Sequence, residues 1–155
     1  MPKNDEKKYE YYGENTVSRA GSGDLQKRLA HWGENTLEAE KVEVMVDDST
    51  ERYVEINVTE KMVESYFGVN RKHEDRVLKY HIKFDTDRKD YKYWVNKFEY
   101  QATEIDKKGE KTQLNGYISD LKTAASKSLE EEVHNKMQDL IASFSEAAEM
   151  ELEEE

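Results

Sequence analysis

The chain has 155 residues, 35% of them hydrophobic and 38% charged, with a net charge of −11 and no cysteine. That length fits one domain with one core, and the missing cysteines exclude disulfides, thiolate zinc sites and cysteine nucleophiles together. The N-terminus lacks the apolar centre of a signal peptide and no apolar run is long enough to cross a membrane, so the expected location is the cytoplasm. The charge is unevenly spread. Residues 34–66 carry ten acids against three bases and residues 112–155 eleven against three, while residues 67–111 carry nine acids against twelve bases. A mildly basic, aromatic centre therefore lies between two acidic segments.

Residues 1–23 read as a flexible tail, charged and closed by Ala20-Gly21-Ser22-Gly23. Tyr9, Tyr11 and Tyr12 are the exception: three tyrosines in a tail imply docking on its own domain or on a partner. Residues 24–150 read as a single α+β domain and residues 151–155 as a frayed acidic C-terminus. Asp24 caps a short helix with Leu25, Leu29 and Trp32 on one face, and Gly33 is placed to end it. Tyr12-Gly13-Glu14-Asn15-Thr16-Val17 returns as Trp32-Gly33-Glu34-Asn35-Thr36-Leu37. This repeat reads as a local stop-and-cap device more readily than as two docking loops.

From Lys41 the period changes to two. Val42, Val44 and Val46 alternate with Lys41, Glu43 and Met45, and Val54, Ile56 and Val58 with Tyr53, Glu55 and Asn57, around a turn at Asp47–Thr50, the pattern of a β-hairpin. Thr59 is expected to cap a short helix bearing Met62, Val63, Tyr66 and Phe67 and ended by Gly68. Asn70–Arg76 reads as a loop. Leu78, Tyr80, Ile82 and Phe84 then mark a further strand, with Lys79, His81 and Lys83 on its other face.

Tyr91 to Ile105 holds Tyr91, Tyr93, Trp94, Phe98 and Tyr100, the densest aromatic run in the chain. Its period suits a helix and its residue types suit a strand; with turn-like segments on both sides we read it as a long, bulged strand. Trp94, Phe98, Tyr100 and Ala102 then share one face, and Tyr91, Tyr93 and Val95 the other. Those two ringed faces exceed what one helix-covered side can bury, so Tyr91 and Tyr93 call for the tail, a second protomer or a ligand. Thr112–Ile118 reads as a short final strand or as the start of the last helix. That helix follows a 3.6 period from Ile118 through Leu121, Ala125, Leu129, Val133, Met137, Leu140, Ile141, Phe144 and Ala148, with a break near Ser126–Ser128. The expected architecture is α+β: an antiparallel sheet of four to five strands with a long C-terminal amphipathic helix packed on one face. The helix's stripe is longer than a small sheet needs, which leaves room for a homodimer.

No catalytic motif stands out, and neither cofactor nor metal is implied. The four histidines have no ligand spacing and read as surface or boundary residues. Asp85, Asp87 and Asp90 lack the glycine and glutamate of a calcium loop. Gly21-Ser22-Gly23 lacks the lysine of a phosphate loop. Function is therefore sought on the surface. The first reading is a non-catalytic interaction protein, an inhibitor or nucleic-acid mimic, that meets a basic partner such as a nucleic-acid-binding protein through Glu43, Asp47, Asp48, Glu51 and Glu55. The alternative is single-stranded nucleic-acid binding through Lys79, His81, Lys83, Lys92, Tyr93 and Lys97. A small enzyme whose site assembles only in space is the third.

Overall fold

A computed structural model describes residues 1–67, 71–121 and 123–152. In chain order the elements are β1 (Tyr11–Thr16), α1 (Asp24–Asn35), β2 (Lys41–Val46), β3 (Tyr53–Met62), β4 (Ser65–Tyr66), β5 (Lys72–Asp87), β6 (Asp90–Ile105), β7 (Lys111–Tyr117), a 3₁₀ turn at Ile118–Asp120 and α2 (Ser126–Glu149). All pairings are antiparallel, in the order β1-β6-β5-β3-β2. β1 and β7 follow one another along the same edge of β6, and β3 and β4 share an edge of β5. The sheet is thus five strands wide but built from seven, more than the four to five expected.

The surplus comes from two segments whose sequence suggested otherwise. Residues 1–23, expected to be a flexible tail, contribute β1. Tyr9 and Tyr11 are buried, and Tyr11 meets Phe98 edge-on at 5.9 Å and stacks on His134 at 5.8 Å. The helix expected after Thr59 is absent. Thr59–Met62 continue β3 in register with β5, and Ser65–Tyr66 form β4. Val63 and Tyr66 are 83% and 71% exposed, so the apolar residues that mimicked a helical stripe have no shared buried face. Gly68 lies outside the described residues.

Both helices pack on one face of the sheet. α1 buries Leu25, Leu29 and Trp32, and α2 buries Leu129, Val133, Met137, Leu140, Phe144 and Ala148, each at helical spacing. α2 starts at Ser126 rather than Ile118, because Leu121 is extended (φ −67°, ψ 130°) and interrupts the periodic run. Rings fill the centre, with Phe144 5.0 Å from Phe84, 5.5 Å from Trp32 and 4.9 Å from Tyr93. Polar pins fix the helix across this core. Trp32 donates to Ser143 at 2.9 Å and Lys136 pairs with Glu60 at 2.6 Å. Arg28 donates to the Ala148 carbonyl at 2.8 Å, satisfying an acceptor that the end of α2 leaves open.

β6 owes its behaviour to one residue. Lys79 pairs with Glu99 and His81 with Asn96, so Tyr80 alone faces Lys97 and Phe98 together. Lys97 absorbs the extra residue at φ 58°. Past it the side-chain parity inverts, and Phe98, Tyr100 and Ala102 join Tyr91 and Val95 on the helix side, all buried. The surplus ringed face expected for a strand does not arise. Trp94 alone among those rings remains on the other side.

The two copies of the repeat adopt different structures. Gly13 lies in β1 opposite Tyr93, whose ring passes so close that a Cβ on Gly13 would stand 2.4 Å from it. Gly33 lies inside α1, where a Cβ would meet Ile56 at 2.6 Å. Each glycine permits a close approach, and neither ends an element.

Two stability measurements check these points. Lys97→Val should cost about 1–2 kcal/mol because a β-branched residue resists the left-handed conformation, whereas Lys97→Gly should be neutral or stabilising. Gly13→Ala should cost about 1–3 kcal/mol through overpacking, and most of that cost should vanish in a Tyr93→Ala background; a simply additive double mutant would contradict the ring–glycine contact.

Candidate functional site

The face of the sheet turned away from the helices is the candidate site. Register sets its side chains in transverse rows. Tyr12, Trp94, Lys83, Glu55 and Met45 form one row across all five strands. On one side lies Asn96–His81–Asn57–Glu43, and beyond it Tyr117–Glu99–Lys79–Thr59–Lys41. On the other side lies Glu14–Lys92–Asp85–Tyr53. Acids stand directly opposite bases in three of these rows, at Lys83–Glu55, Glu99–Lys79 and Glu14–Lys92–Asp85, as cross-strand pairing favours.

The central row is aromatic and cationic. The Tyr12 and Trp94 rings stand 5.4 Å apart. The Lys83 ammonium lies 5.8 Å from the Trp94 ring and 5.2 Å from that of Tyr53, within cation–π range of both. Arg52 lies 5.6 Å from the Tyr53 ring and pairs with Asp85 at 3.0 Å. His81 Nδ1 lies 2.7 Å from Asn57 Oδ1, and burial, joined by Lys97 and Lys83, lowers its pKa against the pull of Glu55. Tyr12 and Met45 are 51% and 45% exposed.

The residues expected on two separate faces are therefore largely interleaved on one. Glu43 and Glu55 lie on this face; Glu43 pairs with Lys41 at 2.9 Å, and Glu55 stands opposite Lys83. Asp47, Asp48 and Glu51 lie in the β2–β3 turn at the sheet's end. Hydrogen bonds from Ser49 hold the Asp47 carboxyl below its ordinary range. Lys79, His81, Lys83 and Lys92 share the open face, and Lys97 sits at the bulge. Tyr93 does not join them, since it points to the helix side against Phe144. Tyr12, Trp94 and Met45 complete the row and Tyr53 flanks it in the next; the sequence marked Tyr12 and Trp94 as aromatic but assigned none of the four to a binding face. The signal available was the odd-numbered parity of β3 and β5, which sets Tyr53 and Glu55 beside Lys83.

A second cluster resembles catalytic machinery but is sealed. His73, expected near the surface, is 0% exposed. A bulge at Asp75 (φ 52°) brings it to the same side as Arg76 and Leu78. Its Nε2 lies 2.9 Å from Glu104 Oε2 and its Nδ1 2.8 Å from the Tyr100 hydroxyl. A carboxylate only accepts, so Nε2–H donates to it; Tyr100 then donates to Nδ1 and accepts from Arg76 Nε at 2.7 Å. Arg76 also donates to Glu132 (2.9 Å) and to the Val63 carbonyl (2.9 Å). Tyr100 too is 0% exposed, so this relay ties β5 and β6 to α2 with no reacting atom at the surface.

Two other places raised in the sequence have local explanations. The Gly21 amide is not free to donate to an outside anion, because it donates to Asp24 Oδ2 at 2.7 Å. Asp85, Asp87 and Asp90 surround the β5–β6 turn with Arg52 and Lys92. Among the described residues no group of three or more His, Asp or Glu is arranged to hold a metal ion, and no helix is long and apolar enough to cross a membrane.

This architecture is shared with known proteins. The fold is similar to the crystal structure of a TBP-like protein from Parabacteroides distasonis, with a TM-score of 0.72 over 97% of this chain and 98% of that one, at 14% identity. It is also similar to that of a DUF4468 family protein from Bacteroides ovatus, with a TM-score of 0.53 over 92% and 89% of the two chains, at 13% identity. At such identities the likeness is one of fold. No family model and no curated protein matches the chain.

The sealed cluster makes a pH prediction. Burial alone would raise the Glu104 pKa, but hydrogen bonds from Thr123 and His73 and the charge of Arg71 outweigh it and hold the group below its ordinary 4.5. A carboxylate depressed in the folded state adds stability above its unfolded value and loses it as pH falls through the folded one. Urea denaturation between pH 7 and pH 3 should therefore show wild type losing more stability below about pH 4.5 than Glu104→Gln. At pH 7 that variant should already be about 1–3 kcal/mol less stable.

Proposed function

We propose that the chain is a non-catalytic binding module that meets a protein partner across the open face of its sheet. The observation that carries this reading is the row Tyr12–Trp94–Lys83–Glu55–Met45, uncovered by either helix. Aromatic and methionine side chains beside polar ones are the composition of interface centres, where a few rings supply most of the binding energy. The face is about 20 Å across its five strands, compatible with the roughly 800 Å² per partner of a standard interface.

Charge arrangement narrows the partner. Nucleic-acid mimicry needs a continuous array of carboxylates, and here Glu43 and Glu55 alternate with Lys41, Lys83 and Lys79. A nucleic-acid platform needs unopposed cations, and here Glu14, Glu55, Asp85 and Glu99 oppose them on a chain of net charge −11, which works against counterion release. A protein surface whose charges alternate in complement suits such a face better than a uniformly basic or polyanionic one. The Tyr100–His73–Glu104 relay lends little to an enzyme reading, because substrate cannot reach its buried atoms.

The test compares variants in a pull-down with cross-linking. Trp94→Ala should reduce capture of the partner about tenfold or more, and Lys83→Glu should act in the same direction. Glu131→Lys and Asp139→Lys, on the outer side of α2, should change little. Capture lost with the α2 reversals and kept with Trp94→Ala would move the interface to the acidic helix, and a gel shift with single-stranded DNA at low salt would restore the nucleic-acid reading.

A further inference from the structure

The two outer sides of the sheet differ. On one side β1 and β7 are separated at Asn96–Phe98, where neither strand pairs with β6, and each carries a glycine, Gly13 and Gly116. On the other side β2 is outermost. Its six residues, Lys41–Val46, hold no glycine or proline and none has a positive φ, and they pair with β3 without a register shift. Bulges, prolines, inward-pointing charges and lysines are what shield an edge strand from a further strand. Of these β2 has only Lys41, at its first position.

The backbone of β2 is set out for pairing. The Asp47 amide donates to the Tyr53 carbonyl at 3.1 Å, and bonded and non-bonded pairs alternate along antiparallel strands. Glu43 and Met45 therefore turn their amides and carbonyls to β3, and Val42, Val44 and Val46 turn theirs outward. Among the described residues no loop or turn backbone hydrogen-bonds to these outward groups. The same three valines lie on the helix side of the sheet, where the core leaves them only half-buried. Open backbone groups and unfinished valine burial thus share one line about 20 Å long.

We infer that β2 pairs antiparallel with β2 of a second copy of this chain, about a two-fold axis at Val44. In that register Val44 lies opposite Val44 of the second copy and Val42 opposite its Val46. The outward groups then bond reciprocally, and the valines complete one another's burial. On the open face Lys41 lies opposite Asp47 of the second copy, and Glu43 opposite its Met45. Charge selects this register. A shift of two residues sets Glu43 opposite Glu43 in one direction and opposite Asp47 in the other, like charges face to face in both cases. A shift of four sets Val44 opposite Glu40 or Asp48. An unrelated extended segment could meet the backbone groups, but β2 itself supplies the matching valines and the matching charges at its ends. A two-fold axis normal to the sheet keeps the helices of both copies on one side and joins the two open faces on the other. The two Trp94 rings then stand seven strand spacings apart, about 34 Å. The edge is smaller than a standard interface and each copy carries −11, so the expected dissociation constant is about 10–100 µM. Pairing of β2 requires nothing of the aromatic row, so either can fail while the other holds.

Sedimentation equilibrium from about 5 to 500 µM tests the pairing and should show monomer giving way to dimer. Val44→Pro removes the amide at the two-fold axis, at an edge position where proline is tolerated, and should abolish the dimer while the far-UV circular dichroism stays that of the wild type. Lys41→Glu, at an exposed position, should weaken the dimer severalfold by facing Asp47. The chain has no cysteine, so single-cysteine variants report the register. Under mild oxidation Val44→Cys should cross-link to itself. Val42→Cys and Val46→Cys should each stay uncross-linked alone and should cross-link in an equimolar mixture. Trp94→Ala should leave the dimer unchanged, which separates this result from loss of partner capture. Monomer at every concentration overturns the inference, even where an added peptide docks on the edge. So does a dimer that Val44→Pro and Lys41→Glu both leave intact, or cross-linking by Val42→Cys alone without cross-linking by Val44→Cys.

Discussion

The β-bulge at Lys97 is the constraint on which the other features depend. An uninterrupted strand would hold Phe98, Tyr100 and Ala102 on the side of Trp94, and the sheet would carry an apolar patch on its open face and a poorer core beneath its helices. One residue at φ 58° inverts that parity. Phe98 and Tyr100 then pack under α2, each at most 2% exposed. Their burial favours the native state by about 1.5–3 kcal/mol for a ring of Phe size, more than the left-handed conformation costs. The same inversion leaves Trp94 among charged neighbours and opens the gap between β1 and β7. Core and open face are therefore consequences of one local geometry.

A second bulge at Asp75 works similarly for polar groups. It joins His73, on one parity of β5, to Arg76 and Leu78 on the other, so that a histidine, an arginine, a tyrosine and a glutamate share one buried volume. Such a group is unfavourable unless every donor finds an acceptor. Here the bonds run without a break from Arg76 through Tyr100 and His73 to Glu104. The network thus specifies register at the end of the sheet where β4 is only two residues long and can contribute little itself.

Elements with a sustained period were legible in the sequence. The valines of β2 and β3 fall at period two and occupy one face, and α2 from Leu129 to Ala148 follows 3.6 residues per turn. The aromatic and β-branched content of Tyr91–Ile105 identified a strand against its helical spacing. The bulges that organise the sheet were not legible at their positions, because Lys97 and Asp75 are not glycines and nothing in the residue itself marks a positive φ. Met62, Val63, Tyr66 and Phe67 show the converse: helical spacing without a shared buried face. The hexapeptide pair shows how far context governs, since Gly-Glu-Asn-Thr is strand in one copy and largely helix in the other. At the site, the candidate acids and bases were identified but their adjacency was hidden, because Glu55 and Lys83 become neighbours only through the pairing of β3 with β5.

That adjacency changes what the net charge means. The −11 total does not come from the open face, where acids stand opposite bases. It comes from the outer side of α2, the β2–β3 turn, the segment after α1 and the C-terminal glutamates. At distances beyond a Debye length, about 8 Å in physiological salt, an approaching molecule meets a negative body that repels polyanions. At contact it meets a face close to neutral, where the binding proposed above would draw on ring burial and matched pairs rather than on the field. Binding there should accordingly depend weakly on ionic strength, while a charge-reversed residue in the row acts through its immediate neighbours. On the proposed reading, the acidic composition selects which molecules approach the chain, and the row centred on Trp94 is what would hold a partner.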